Sequence, residues 1–267
     1  VYPETGEVLY LTLAGDLSAQ MVAGVDRFLE RELDASIAAR AQFWRRDFTS
    51  GAAYEKSVAP NREQLRRIIG AVDPRLPGRT LEFVGDTVTP AKLADAGEYE
   101  IFAVRWPVFD GVFGEGLLLR PKGEIRANVV VIPDADQTPE MLAGLAAGLP
   151  PENQIARRLA ERGCRVIVPV LINREDTWSG IPGKPTNLPH REWIYRQAYE
   201  VGRHIIGYEV QKVLAAVDWF ESVSRTPATR SLEVGLAGYG EGGLIAFHAA
   251  ALDLRVGATL VGGYFNS

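Results

Sequence analysis

Residues 232–252, LEVGLAGYGEGGLIAFHAAAL, decide the fold of this chain. The apolar run at 232–238 predicts a buried strand, and the small-residue run at 244–252 predicts a helix. Between them, Gly238-Tyr239-Gly240-Glu241-Gly242-Gly243 leaves room for little more than a sharp turn. The stretch therefore predicts a strand that passes directly into a helix.

Further strands and helices alternate on both sides of this stretch. The sequence predicts strands at 80–84, 99–106, 114–119, 128–132, 165–172, 232–238 and 256–263. It predicts helices at 151–162, at 192–222 with an interruption near Gly207, and at 244–252. The first three strands favour an antiparallel edge. The later alternation indicates an α/β fold with a mostly parallel sheet and crossover helices.

The first 79 residues differ from the rest. Apolar residues recur at three- and four-residue spacing through 16–46, which predicts a helix that Asp16 caps, and a second helix is expected at 61–72. We therefore predict an N-terminal helical extension at 1–79 and an α/β domain at 80–267.

The glycine-rich turn has the form of a nucleophile elbow, in which small residues flank a reactive side chain at the tip of the turn. The central position is Gly240, which has no side chain with which to attack an acyl carbon. Three explanations stay open: a scaffold that has lost serine chemistry, a different catalytic group with Glu241 as the local candidate, or an introduced serine-to-glycine substitution. Near a helix start, Glu241 is equally explained by the helix dipole.

The chain resembles the α/β-hydrolase superfamily, and within it the dienelactone-hydrolase and acetylxylan-esterase-like group. The resemblance covers about 80–267. It rests on GYGEGG, on NVVVIPDAD, on ARRLAERGCRVIVPVLI and on GRHIIGYEVQKVLAAVDWF. It implies an oxyanion hole built from backbone groups near Ala135, Tyr239 and Glu241.

Two features depart from active members of that group. Pro133-Asp134-Ala135-Asp136 stands where such enzymes often carry His-Gly-Gly, and a carboxylate there would oppose a developing oxyanion. We interpret the two aspartates as turn and cap residues rather than as a metal site.

The second departure concerns the acid and the base, which in this fold follow the nucleophile. His248 lies inside the helix after the elbow, and His190 and His204 precede it, so packed or surface roles are favoured for all three. A sheet ending at VGGYFNS would leave an unpaired edge. We therefore expect the sequence to be a fragment, or to be completed by a further polypeptide segment.

The loop at 173–190 follows a strand at its carboxyl end, where α/β sheets bind ligands. Trp178 could stack on a sugar or an aromatic ligand, and Arg174 could hold a carboxylate. Alternatively, both side chains only hold the loop in place.

Composition excludes several classes of protein. The net charge is −5 and no dense basic patch stands out, which argues against nucleic-acid binding. No apolar run could span a membrane. The single cysteine, Cys164, lies in an apolar run and is expected to be an inert thiol. No metal or cofactor is predicted, and the cellular compartment stays open.

Three function classes follow. The first is an esterase-like hydrolase acting on carboxylic esters, including those of carbohydrates, with Glu241 as general base or nucleophile. The second is a noncatalytic binding or assembly module on the same scaffold. The third is a nucleotide-dependent enzyme, because Gly238, Gly240 and Gly243 satisfy G-x-G-x-x-G. Several strands precede this motif and no acidic residue follows at the expected distance, which disfavours the third class.

Overall fold

A computed structural model of the chain describes residues 14–77, 80–178, 181–185, 187–224 and 232–265. The chain forms two compact units, one ending at Asn61 and the other beginning at Arg62. The proposed boundary between an extension at 1–79 and a domain at 80–267 stays a prediction.

Two helices occupy the N-terminal region. Helix α1 runs over Leu17–Ala39, and the backbone N–H of Ala19 donates to Asp16 Oδ1 at 3.0 Å, so the predicted cap is confirmed. Helix α2 runs over Gly51–Ile68 with Pro60 inside it, so the predicted bounds of 61–72 were wrong. It ends because Gly70, with a φ of 68°, adopts the left-handed conformation that closes helix C-termini.

The second unit contains an eight-stranded sheet of order β1-β3-β4-β6-β5-β7-β8, with β2 paired to β3. The strands are β1 Glu82–Phe83, β2 Lys92–Asp95, β3 Tyr99–Phe109, β4 Val112–Pro121, β5 Ala127–Ile132, β6 Cys164–Pro169, β7 Val234–Tyr239 and β8 Val256–Gly262. Strands β1 to β4 are antiparallel, β4 pairs antiparallel with β6, and β5 to β8 are parallel. The predicted α/β-hydrolase-type architecture is confirmed. The short edge strand β2 was not predicted.

The described residues after β5 form five α-helices: α3 Pro139–Ala143, α4 Ile155–Ala160, α5 His190–Glu200, α6 Ile205–Ser224 and α7 Glu241–Leu252. Helices α3, α4, α6 and α7 pack against the sheet, and α5 packs against α6. Strand β5 is buried on both faces, as its unbroken apolar sequence predicts. Val130 and Ile132 face a core with α6 and α7, whereas Val129 and Val131 face a core with α3 and α4. The elbow therefore follows a strand, β7, whose parallel neighbour β5 is buried on both faces.

The helical stretch is interrupted, as predicted, but the interruption precedes Gly207. The break lies at 201–204, and Gly207 is inside α6 because the helix there contacts the backbone of Ile69 and Gly70. A Cβ on Gly207 would lie 2.3 Å from the carbonyl oxygen of Ile69.

We expect Gly207→Ala to lower the free energy of unfolding by about 1–3 kcal/mol, since overpacking outweighs the helix propensity of alanine. Chemical denaturation measures this. The matched control is Gly24→Ala, because Gly24 is also helical but has nothing within 4 Å of an added Cβ. Gly24→Ala should raise the free energy of unfolding by up to about 1 kcal/mol. A similar rise in Gly207→Ala would contradict the packing argument.

Candidate active site

The sharp turn predicted at 238–243 joins β7 to α7. Gly240 sits at its tip with φ 56° and ψ −122°, a conformation that side chains rarely adopt. The neighbouring glycines are needed for a different reason. A Cβ on Gly238 would lie 2.1 Å from the carbonyl oxygen of Gly242, and one on Gly242 would lie 2.2 Å from that of Ile132. The backbone of the turn thus packs closely against the carboxyl end of β5.

The carboxyl group of Asp134 fills the space where a side chain at position 240 would begin. A Cβ built on Gly240 would lie 2.5 Å from the carboxyl carbon and from both carboxyl oxygens of Asp134. Asp134 lies two residues after the end of β5, and Gly240 directly follows β7, the parallel neighbour of β5. Adjacent parallel strands therefore bring the two positions together at their carboxyl ends.

The same carboxylate binds the backbone N–H groups at two of the three positions implied for an oxyanion hole, Ala135 and Glu241. Asp134 Oδ1 accepts a hydrogen bond from the Ala135 N–H at 2.8 Å and from the Glu241 N–H at 2.9 Å. Tyr239 extends away from them, with its ring over Gly263. An intrinsic negative charge thus already binds the two convergent N–H groups.

Two arginines hold the Glu241 side chain. Arg191 Nη2 donates to Glu241 Oε1 in a very short contact, and Arg174 Nη2 donates to Oε2 at 3.2 Å. Burial raises the pKa of the Glu241 carboxyl above its usual value, while Arg191 and Arg174 oppose the rise. A raised pKa suits a general base, but guanidinium groups engage both of the oxygens that would take a proton.

Arg174 and Arg191 also tie the elbow to its surroundings. Arg174 Nη1 donates to Asp136 Oδ1 at 3.1 Å, and Arg191 Nη1 donates to the Ile172 carbonyl at 2.9 Å. Arg174 and Glu241 were expected near the pocket and do meet. The sequence did not indicate that Arg191 belongs to the site, because Arg191 lies 50 residues from Glu241 in the first turn of α5.

A cleft of about 650 Å³ opens beside this ion-pair cluster. It lies among the loop after β6, helix α5 and helix α6, and is lined by Ile172, Trp178, His190, Trp193, Ile194, Gln197, Ala198, Val201 and Tyr208. Trp178, predicted as a ligand-stacking residue, lies edge-to-face with Trp193 at 6.2 Å between ring centroids. Trp193 itself was not singled out from the sequence.

The three histidines lie in separate places and each has a partner. His190 Nδ1 is 2.7 Å from Asn173 Oδ1, and His248 Nδ1 is 2.8 Å from the Leu244 carbonyl. His204 Nδ1 accepts the Ile206 N–H at 3.0 Å, and burial lowers the pKa of its ring. Burial raises the pKa of the Cys164 thiol, which disfavours the reactive thiolate.

Within the described ranges, no group of three or more His, Cys, Asp or Glu side chains gathers as a metal site. Asp136 is instead paired with Arg174. None of the described helices is both long and apolar enough to cross a membrane.

The mostly parallel sheet, the strand–turn–helix elbow at Gly240 and the convergent backbone N–H groups define an α/β-hydrolase-type protein. The chain belongs to the dienelactone hydrolase family, whose sequence profile matches residues 115–264, more than half of its 267 residues. No curated protein is similar enough to be matched.

Solved structures show the same fold at low sequence identity. A Bacteroides fragilis NCTC 9343 protein assigned as an acetyl xylan esterase matches with a TM-score of 0.58 and 15% identity, over 81% of this chain and 55% of that one. A methylesterase matches with a TM-score of 0.51 and 14% identity, over 83% of this chain and 43% of that one. The chain thus spans about half the length of these structures.

Proposed function

We propose that this chain is a noncatalytic member of an esterase-like lineage that binds a small-molecule ligand beside the elbow. One observation carries the proposal: the Asp134 carboxylate occupies both the space beside Gly240 and the two N–H groups of Ala135 and Glu241. Acyl transfer needs a nucleophile at that space and empty donors for the oxyanion.

The esterase alternative would rely on Glu241 as base or nucleophile. Its raised pKa supports that alternative. The two arginine contacts oppose it, because a carboxylate held by two guanidinium groups is a poor proton acceptor. An incoming oxyanion would also have to displace Asp134. The names of the similar structures make esters, including those of carbohydrates, the natural ligands to test.

Two measurements test the proposal. We expect neither labelling of the wild-type chain by a fluorophosphonate probe nor hydrolysis of p-nitrophenyl acetate above the buffer rate. Labelling would reveal a reactive serine and overturn the noncatalytic role. Hydrolysis that is lost in Glu241→Gln would establish the Glu241 mechanism instead, whereas equal rates in both proteins would exclude that residue.

A further inference from the structure

We infer that the cleft beside the elbow binds a neutral ligand with a planar aromatic ring, with Trp178 and Trp193 as its stacking residues. This inference rests on the proposed binding role and names the chemistry of the ligand.

The walls of the cleft are mainly aromatic and aliphatic. Trp178, Trp193 and Tyr208 supply rings, and the edge-to-face pair of indoles stands at 68° between ring planes. A third ring placed against either indole can adopt the stacked or edge-to-face geometry that aromatic pairs favour. Trp178 is 58% exposed, so part of its ring is available to a ligand.

His190 contributes a neutral ring. Its Nε2 accepts the backbone N–H of Trp178 at 2.8 Å, so Nε2 carries no proton. Its Nδ1 then carries the proton and donates to Asn173 Oδ1 at 2.7 Å. Both ring nitrogens are therefore used within the protein, and His190 positions the Trp178 backbone.

The charged side chains that contact the cleft wall at Ile172 are paired with opposite charges. The described lining residues include no carboxylate, lysine or arginine. Arg191 donates to the carbonyl of Ile172, which lines the cleft, and pairs with Glu241. On the other side, Glu209 Oε1 accepts the Ile172 N–H at 2.9 Å, and Glu209 Oε2 lies 2.5 Å from Lys212 Nζ. A charged ligand would thus lose hydration without gaining an opposite charge.

The lining residues also favour binding of an aromatic ring over binding of a sugar. A sugar ring would place hydroxyls against Ile194, Ala198 and Val201, where each loses water without a partner. Among the described lining residues, the polar side chains besides His190 are those of Gln197, Tyr208 and the two tryptophans. Those suit one or two substituents on an aromatic ring better than a ring covered with hydroxyls.

Calorimetric titration with three probes tests the inference. Methyl cinnamate is planar and neutral, methyl 3-cyclohexylpropanoate is its saturated counterpart, and xylotriose is a sugar. We expect methyl cinnamate to bind about three- to tenfold more tightly than the saturated ester, and xylotriose to bind more weakly than either. Trp193→Ala should weaken cinnamate binding about tenfold, whereas Trp44→Ala, which lies outside the cleft, should leave it unchanged.

Val201→Trp fills the cleft from an exposed position and should block binding without unfolding the chain, as circular dichroism can verify. Undetectable cinnamate binding at millimolar concentration, equal affinities for the two esters, tighter binding of xylotriose, or an unchanged affinity in Trp193→Ala would each overturn the inference. Chromatography of the same samples separates the two proposals. Bound but uncleaved ester supports both, whereas cleaved ester overturns only the noncatalytic role.

Discussion

Replacing Gly240 with alanine should lower the free energy of unfolding by about 3 kcal/mol, because two penalties add. A β-carbon in the sparsely populated conformation of Gly240, φ 56° and ψ −122°, costs about 1–3 kcal/mol. The same atom would lie 2.5 Å from the Asp134 carboxyl group, and overpacking of this kind adds about 1–3 kcal/mol. Urea denaturation followed by circular dichroism measures the total.

Gly111→Ala is the matched control for this prediction. Gly111 has a φ of 71° but nothing within 4 Å of an added Cβ, so it reports the backbone penalty alone, about 1–2 kcal/mol. The excess cost at Gly240 should shrink in the double variant Asp134→Ala/Gly240→Ala, with a coupling of about 1–2 kcal/mol. Equal costs at Gly111 and Gly240, or strict additivity in the double variant, would show that Asp134 does not fill that space.

The fold was predictable because its signals are local. The continuous apolar sequence of β5, and the glycines that allow β7 to turn into α7, determine the centre of the sheet through neighbouring residues. The interruption predicted near Gly207 lies a few residues earlier, because the place of Gly207 inside α6 depends on the distant backbone of Gly70, which it contacts. The helix predicted to begin at 61 begins earlier, since α2 continues through Pro60.

The candidate site was only partly predictable because its key contacts are distant in sequence. Gly240 and Glu241 belong to a recognisable turn, so they could be named. Asp134 was interpreted as a turn residue, and that role explains its hydrogen bond from Ala135 but not the one from Glu241, which is 107 residues away. Pairing of β5 with β7 creates that second contact, and only the folded sheet reveals it.

The second large effect is expected at Arg191. Its guanidinium pairs with Glu241, and the two side chains are only 12% and 11% exposed. Arg191→Met would leave the Glu241 carboxylate buried with one weaker partner, the exposed Arg174. Breaking a buried ion pair from one side costs about 3–5 kcal/mol, so we expect a loss of about 3 kcal/mol at pH 8. Arg174→Met, which removes the more exposed partner, should cost less than about 1 kcal/mol.

The loss in Arg191→Met should also depend on pH, with a defined sign. Burial already raises the pKa of Glu241, and Arg191 opposes that rise. Without Arg191 the folded-state pKa rises further, so the folded variant binds a proton more tightly than the unfolded chain does. The deficit of the variant relative to wild type should therefore be smallest at low pH and should grow as pH rises through that pKa. Denaturation at a series of pH values measures the deficit, and Glu241→Gln in the Arg191→Met background should abolish its pH dependence.

A deficit that is constant with pH would mean that Arg191 stabilises the fold chiefly through the Ile172 carbonyl and packing. Arg191 would then not be what keeps Glu241 charged, and the case against Glu241 as a base would weaken accordingly.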